Sequence, residues 1–151
     1  MGPVQKEHTR EQVVQRLIAL LQQAHRMGAE LVVFPELALT TFFPRWFVDD
    51  ISEADHWYER SMPNAATQPL FDEAKRLGVG FCLGYAIIDA DGKRWNVQTL
   101  VERDGSIVAT YKKTHIPVTS ITNPTARSSM RSATTSSPAP TVSACGARSA
   151  V

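Results

Sequence analysis

Apolar residues near the start of the chain recur at three- and four-residue steps. Val13, Leu17, Leu20, Leu21 and Ala24 fall on one side of a helix that this spacing predicts over 10–27. Thr9 and Gln12 stand at capping-box spacing in front of it, and Gly28 suits the left-handed residue that closes a helix. Leu31, Val32, Val33 and Phe34 follow at once as a short apolar run of buried-strand type. The same order then returns. Leu70, Phe71, Ala74 and Leu77 make one face of a shorter helix that stops at Gly78, and 79–88, rich in β-branched and aromatic residues, reads as a strand. DADGK supplies a turn, 96–102 a further strand, Asp104-Gly105 a hairpin turn and 106–111 the last strand. Helix, glycine and strand twice over, with a hairpin extension, predict an α/β fold of layered type. No strand precedes the first helix, where sheets of this kind usually begin with one, so the start reads as clipped. Loss of a central strand would leave backbone groups unpaired.

The pattern changes at Pro117. All fifteen acidic residues and thirteen of the sixteen basic ones lie at or before it, a formal charge of −2, and Arg127, Arg131 and Arg148 give the remainder +3. Residues 118–151 are dominated by Ser, Thr, Ala and Pro, lack aromatic residues, and hold too little apolar surface to offset the entropy of ordering. Two domains of organisation follow: 1–117, a folded part, and 118–151, a tail expected to be disordered. A flexible regulatory tail and the product of a shifted reading frame both fit that composition. The whole chain carries only +1, which gives no field to draw nucleic acid or an anionic membrane, so neither is an expected partner. No apolar run reaches the length of a membrane span and the polar first residues hold no apolar leader core, which leads to a cytoplasmic expectation. Cys82 and Cys145 make no metal-ligand spacing, so neither a zinc site nor a disulfide framework is expected.

Two stretches carry chemistry. In LVVFPELALTTFFPRWF, residues 31–47, Glu36 follows a strand and a proline, at the carboxyl end where open α/β sheets gather ligand-binding residues. Burial there would raise its pKa and suit it to act as a general base toward a thiol, then as an acid toward a leaving amine. The competing reading is a carboxylate that caps the next segment or pairs with an arginine. In YKKTHIP, residues 111–117, Lys113 stands at another strand end, either as a fixed charge for an oxyanion or as a solvated lysine. The FFPRWF cluster, with Arg45 and Trp46, is either an apolar pocket wall or plain core. His115 is either near a pocket or a structural histidine.

Taken together, FPE with ALTTFFPRW, and YKKTHIP some seventy-seven positions later, resemble the first two signatures of the carbon-nitrogen hydrolase, or nitrilase, superfamily. Within it PELALTTFFPRW and LGVGFCLGYA are most similar to N-carbamoyl-D-amino-acid hydrolases. The resemblance covers nearly all of 1–117. It implies a partial nitrilase-type αββα sandwich and a Glu-Lys-Cys triad, with Glu36 as general base, Lys113 as its positive member and His115 near the pocket. It further implies no cofactor, no metal, a small-molecule N-carbamoyl amino acid as substrate, and a homo-oligomer.

The third member of the triad is not found. The family's nucleophile sits after a buried strand in an apolar-apolar-Cys-Asn/Tyr-Asp/Glu-x-Arg pattern, and no segment here matches it. SACGARSA around Cys145 has neither the strand nor the carboxylate, and Cys82 lies inside a strand in surroundings that read as core, where cysteine is chiefly a small hydrophobe. The arginines that would hold a substrate carboxylate follow the cysteine in the family and are absent too. Two function classes therefore stand: a C-N amidohydrolase of the N-carbamoyl-D-amino-acid type, with nitrilase, aliphatic amidase or N-carbamoyl-β-alanine hydrolase as variants, and a non-catalytic fragment that pairs with an intact subunit.

Overall fold

The structure, a computed structural model, describes residues 4–46 and 49–114. Helix α1 (Arg10–Arg26) begins where the capping box predicts: the Thr9 side chain accepts from the Gln12 backbone, and the Gln12 side chain accepts from the Thr9 backbone. Gly28, at φ 83°, turns the chain out of the helix into β1 (Leu31–Val33). A long excursion with two 3₁₀ segments, Phe43–Arg45 and Ile51–Trp57, leads to α2 (Gln68–Leu77), which ends at left-handed Gly78. Strands β2 (Gly80–Ile88), β3 (Arg94–Val101) and β4 (Ile107–Lys112) complete a four-stranded sheet in the order β1-β2-β3-β4. Only β1 and β2 run parallel; β2-β3 and β3-β4 are antiparallel hairpins. This mixed α/β architecture is the predicted class, with one helical layer and one sheet among the described residues.

Strand alternation divides the core in two. On the helical face, Phe81, Leu83 and Tyr85 of β2 and Val97 and Val101 of β3 pack against Val14, Leu17 and Leu21 of α1 and Leu70, Phe71 and Ala74 of α2. The Tyr85 hydroxyl and the Thr110 hydroxyl each lie 3.0 Å from the hydroxyl of buried Thr99, so this face also carries a polar cross-link over three strands. On the opposite face, Ala86 meets Leu37, Phe43 and Ala54 from the excursion. Toward β1 the same face is exposed among the described residues. This corrects the buried reading of the Leu31–Val33 run: Val32 packs on the helical face, but Leu31 is 51% exposed and Val33 68%. An apolar run alone does not say whether both faces of its strand are covered. Cys82 shares the parity of Val33 and is partly exposed, so the core reading holds for its neighbours Phe81 and Leu83 and only in part for the thiol. Among the described residues no helix is long and apolar enough to cross a membrane.

Candidate active site at the strand ends

The turn that carries Glu36 is built by β2. As the chain leaves β1, the Phe34 amide donates to the Cys82 carbonyl at 2.9 Å, and four residues on the Ala38 amide donates to the Gly84 carbonyl at 2.8 Å. Residues 35–37 are thereby held directly above Gly84. A Cβ at position 84 would lie 2.7 Å from the Pro35 carbonyl oxygen and 2.9 Å from the Glu36 Cα, so only glycine admits this approach. Leu37, next to Glu36, adopts φ 51°, a left-handed conformation rarely taken by a bulky residue, and its burial against Phe43, Ala54 and Ala86 holds it there. The far side of the loop is tied by Arg10, which donates to the Leu39 carbonyl and pairs with buried Glu59 at 2.7 Å.

Lys113 arrives from the other direction. It follows β4, and its backbone amide donates to the Asn96 carbonyl at 2.8 Å, extending the β3-β4 ladder by one residue. From there its Nζ reaches Glu36 Oε1 at 2.7 Å across 77 residues of sequence, and Asn96 Nδ2 donates to the same oxygen at 2.5 Å. Two donors thus converge on one carboxylate oxygen at the carboxyl end of the parallel pair. Asn96 has no counterpart in the sequence-predicted set; it stands at the start of a predicted strand, and nothing in its local pattern distinguishes it.

The electrostatics differ from the expectation of a buried, raised carboxyl. The Lys113 hydrogen bond holds the Glu36 carboxyl below the ordinary glutamate value; partial burial opposes this, and the Asn96 bond and the ammonium charge add to the lowering. Glu36 is 41% exposed and Lys113 33%, so the pair sits at an open surface rather than in a shielded pocket. Two donors outweigh desolvation when one side of the group still faces water. Because the folded pKa is depressed, the pair adds stability above the unfolded glutamate value and loses it as pH falls through the folded value. A carboxyl ¹³C titration is expected to place the Glu36 inflection below that of ordinary glutamate and to move it upward in Lys113→Met; an inflection at or above the ordinary value would contradict the geometry.

Arg45 and Trp46 belong to a different group. The Arg45 guanidinium lies 4.9 Å from the Trp46 ring centroid, Trp46 packs on Trp57 at 5.6 Å, and Phe43 stacks on Trp57 at 5.2 Å. This aromatic cluster adjoins Glu36 through Leu37, and Phe43 takes the core-packing role. His115, Phe47, Cys145 and the tail lie outside the described residues. Among the described residues no group of three or more His, Cys, Asp or Glu is placed to hold a metal ion.

The carbon-nitrogen hydrolase family model matches residues 1–144, a span that runs past Pro117 into the Ser/Thr/Ala/Pro-rich stretch. Omega-amidase NIT2 of Danio rerio is 28% identical over 102 residues, 67% of this chain and 34% of that protein. Its Homo sapiens counterpart is 27% identical over 104 residues, 68% and 34%. The chain therefore spans about a third of the length of the curated relatives it matches. Among solved structures, a carbon-nitrogen hydrolase from Helicobacter pylori G27 superposes with a TM-score of 0.63 at 24% identity, over 76% of this chain and 38% of that one. An N-terminal amidase with an Asn-Glu-Ala peptide does so at 0.60 and 17% identity, over 75% and 26%. With nearly the whole sequence under the family model, the chain belongs to the carbon-nitrogen hydrolase family.

Proposed function

We propose that this chain supplies the carboxylate-ammonium half of an amidohydrolase site, and that the reaction it serves is conversion of an N-carbamoyl-D-amino acid to the D-amino acid, carbon dioxide and ammonia in the cytoplasm. The observation that carries the reading is the 2.7 Å contact between Lys113 and Glu36, made by two strand ends 77 residues apart. In this scheme Glu36 takes the proton of an attacking thiol and returns it to the departing ammonia, while Lys113 faces the oxyanion of the tetrahedral adduct. Water then opens the thiol ester-like intermediate. A carboxylate with a depressed pKa is ionised at neutral pH, as the first proton transfer requires. The choice of a carbamoyl substrate rests on the PELALTTFFPRW and LGVGFCLGYA runs. The omega-amidase and N-terminal amidase relatives favour a simple amide instead.

The covalent route needs a thiolate. Cys82 is fixed in β2 opposite Leu100, and neither cysteine lies in the nucleophile pattern, which favours a second reading: a non-catalytic member that joins an intact subunit of the family. A chimera decides between these. Residues 1–114 joined to the downstream part of an intact N-carbamoyl-D-amino-acid hydrolase are expected to release ammonia from N-carbamoyl-D-phenylglycine and not from its L form, while the 151-residue chain alone releases none. A folded chimera that is silent, or that acts only on simple amides, would overturn the proposed substrate.

A further inference from the structure

Beyond the turn that carries Glu36 lies a cavity of about 380 Å³, within the size range of small-molecule pockets. Its walls come from the segment before α1, from residues 39–41 and from the end of the second 3₁₀ segment, and neither Glu36, Asn96 nor Lys113 borders it. Charge is unevenly matched inside. Glu59, the carboxylate of the lining, is already satisfied: Arg10 Nη2 lies 2.7 Å from one oxygen, and Asn64 Nδ2 donates to the other at 2.7 Å. Arg10 also donates to the Leu39 carbonyl, so its guanidinium serves the fold. Lys6 pairs with no carboxylate among the described residues; its ammonium lies 5.5 Å from the Trp46 ring centroid. His8 accepts the Gln5 amide at Nδ1, 3.1 Å away, which leaves Nε2–H as a donor. Thr40 adds an independent sign. It is 7% exposed, it lines the cavity, and its Oγ1 has no hydrogen-bond partner. An unmatched hydroxyl at that depth costs stability, and one set in a cavity wall is a donor held ready for an acceptor that enters.

We propose that this cavity binds a small organic carboxylate. Thr40 Oγ1 and His8 Nε2 donate to its oxygens, Lys6 supplies the unmatched positive charge, and Val4 and Trp57 cover its apolar body. The lining itself selects this class. A neutral amide would leave Lys6 unmatched, while a compact dianion such as phosphate would face the Glu59 carboxylate and gain nothing from the apolar wall. A monoanion with a hydrophobic body uses every one of these groups. The site is separate from the Glu36-Lys113 pair and does not rest on the reaction proposed above.

Benzoate is the probe, titrated into the full chain and followed by the backbone amides of residues 39–41 and the Trp57 indole. Saturable shifts at these groups are expected, with benzamide binding at least tenfold more weakly and inorganic phosphate, at matched ionic strength, weaker still. Thr40→Val keeps the shape of the side chain and removes the unmatched hydroxyl. It is expected to weaken benzoate about tenfold while the melting temperature stays or rises, because a hydrogen bond to a charged group is lost only from the complex. Lys6→Met, at an exposed position that leaves the core untouched, is expected to weaken benzoate at least fivefold, and Lys113→Met is expected to leave its affinity unchanged. Benzoate that never saturates, benzamide or phosphate that binds as tightly, or an affinity indifferent to both Thr40→Val and Lys6→Met would overturn the proposal. Loss of benzoate binding in Lys113→Met would overturn it too, by moving the site to Glu36.

Discussion

In the chimera, Glu36→Gln is expected to lower the rate of ammonia release by about 10³-fold with little change in stability. The amide keeps the shape of the carboxylate and can still accept from Asn96 and Lys113 through its oxygen, so the turn above Gly84 has no reason to move. What is lost is the ability to take a proton. Lys113→Met is expected to cost about 10²- to 10³-fold by removing the charge beside the oxyanion. The double variant should fall well short of the product of the two effects, because groups that act on one step as a unit are not additive. Rates measured under single-turnover conditions, with folding checked by circular dichroism, test this. Retention of activity within tenfold in Glu36→Gln would remove the carboxylate from the chemistry, and full additivity would separate it from Lys113.

Gly84→Ala is expected to be the most damaging of the small substitutions. Its new methyl would meet two backbone atoms, the Pro35 carbonyl oxygen at 2.7 Å and the Glu36 Cα at 2.9 Å, neither of which can rotate away. The loop must lift from β2, giving up the Ala38-Gly84 hydrogen bond and the seat of Leu37. Overpacking of this kind costs about 1–3 kcal/mol, read as a drop in melting temperature. A lifted loop also carries Glu36 away from Lys113, so its carboxyl inflection should return toward the ordinary value. Gly80→Ala serves as the control. Its methyl would crowd the Val101 carbonyl at 3.0 Å, far along the strand from Glu36, so it should lower stability without moving that inflection. A Gly84→Ala chain that melts like the parent would show that the approach is looser than these distances say.

Local signals were legible in the sequence where one residue type has one structural use. The Thr9/Gln12 box and Gly28 fixed both ends of α1, which spans Arg10–Arg26 against a predicted 10–27, and Gly78 likewise ended α2. The hairpin strands shift by one or two residues, since a strand end is set by its partner and not by its own pattern. The juxtaposition of Glu36 with Lys113 followed from two strand ends and a resemblance. Illegible were the features that need the third dimension: the bare face of β1, the left-handed Leu37, Asn96 as a second donor, and the Arg10-Glu59 pair. The raised pKa expected for Glu36 failed for the same reason. Position in the chain gives no measure of how many donors a carboxylate meets or how much water it keeps.

The 77-residue span between the two charged groups also bears on kinetics. Glu36 leans on β2, Lys113 hangs from β4 through β3, and every ladder between them must be in register before the ammonium can find the carboxylate. Hairpins of low sequence separation close early, whereas the β1-β2 contact requires the whole excursion and α2 to be gathered first. The contact is therefore expected to form late in folding, and a label that senses Lys113 is expected to time the final step of sheet assembly rather than the initial collapse.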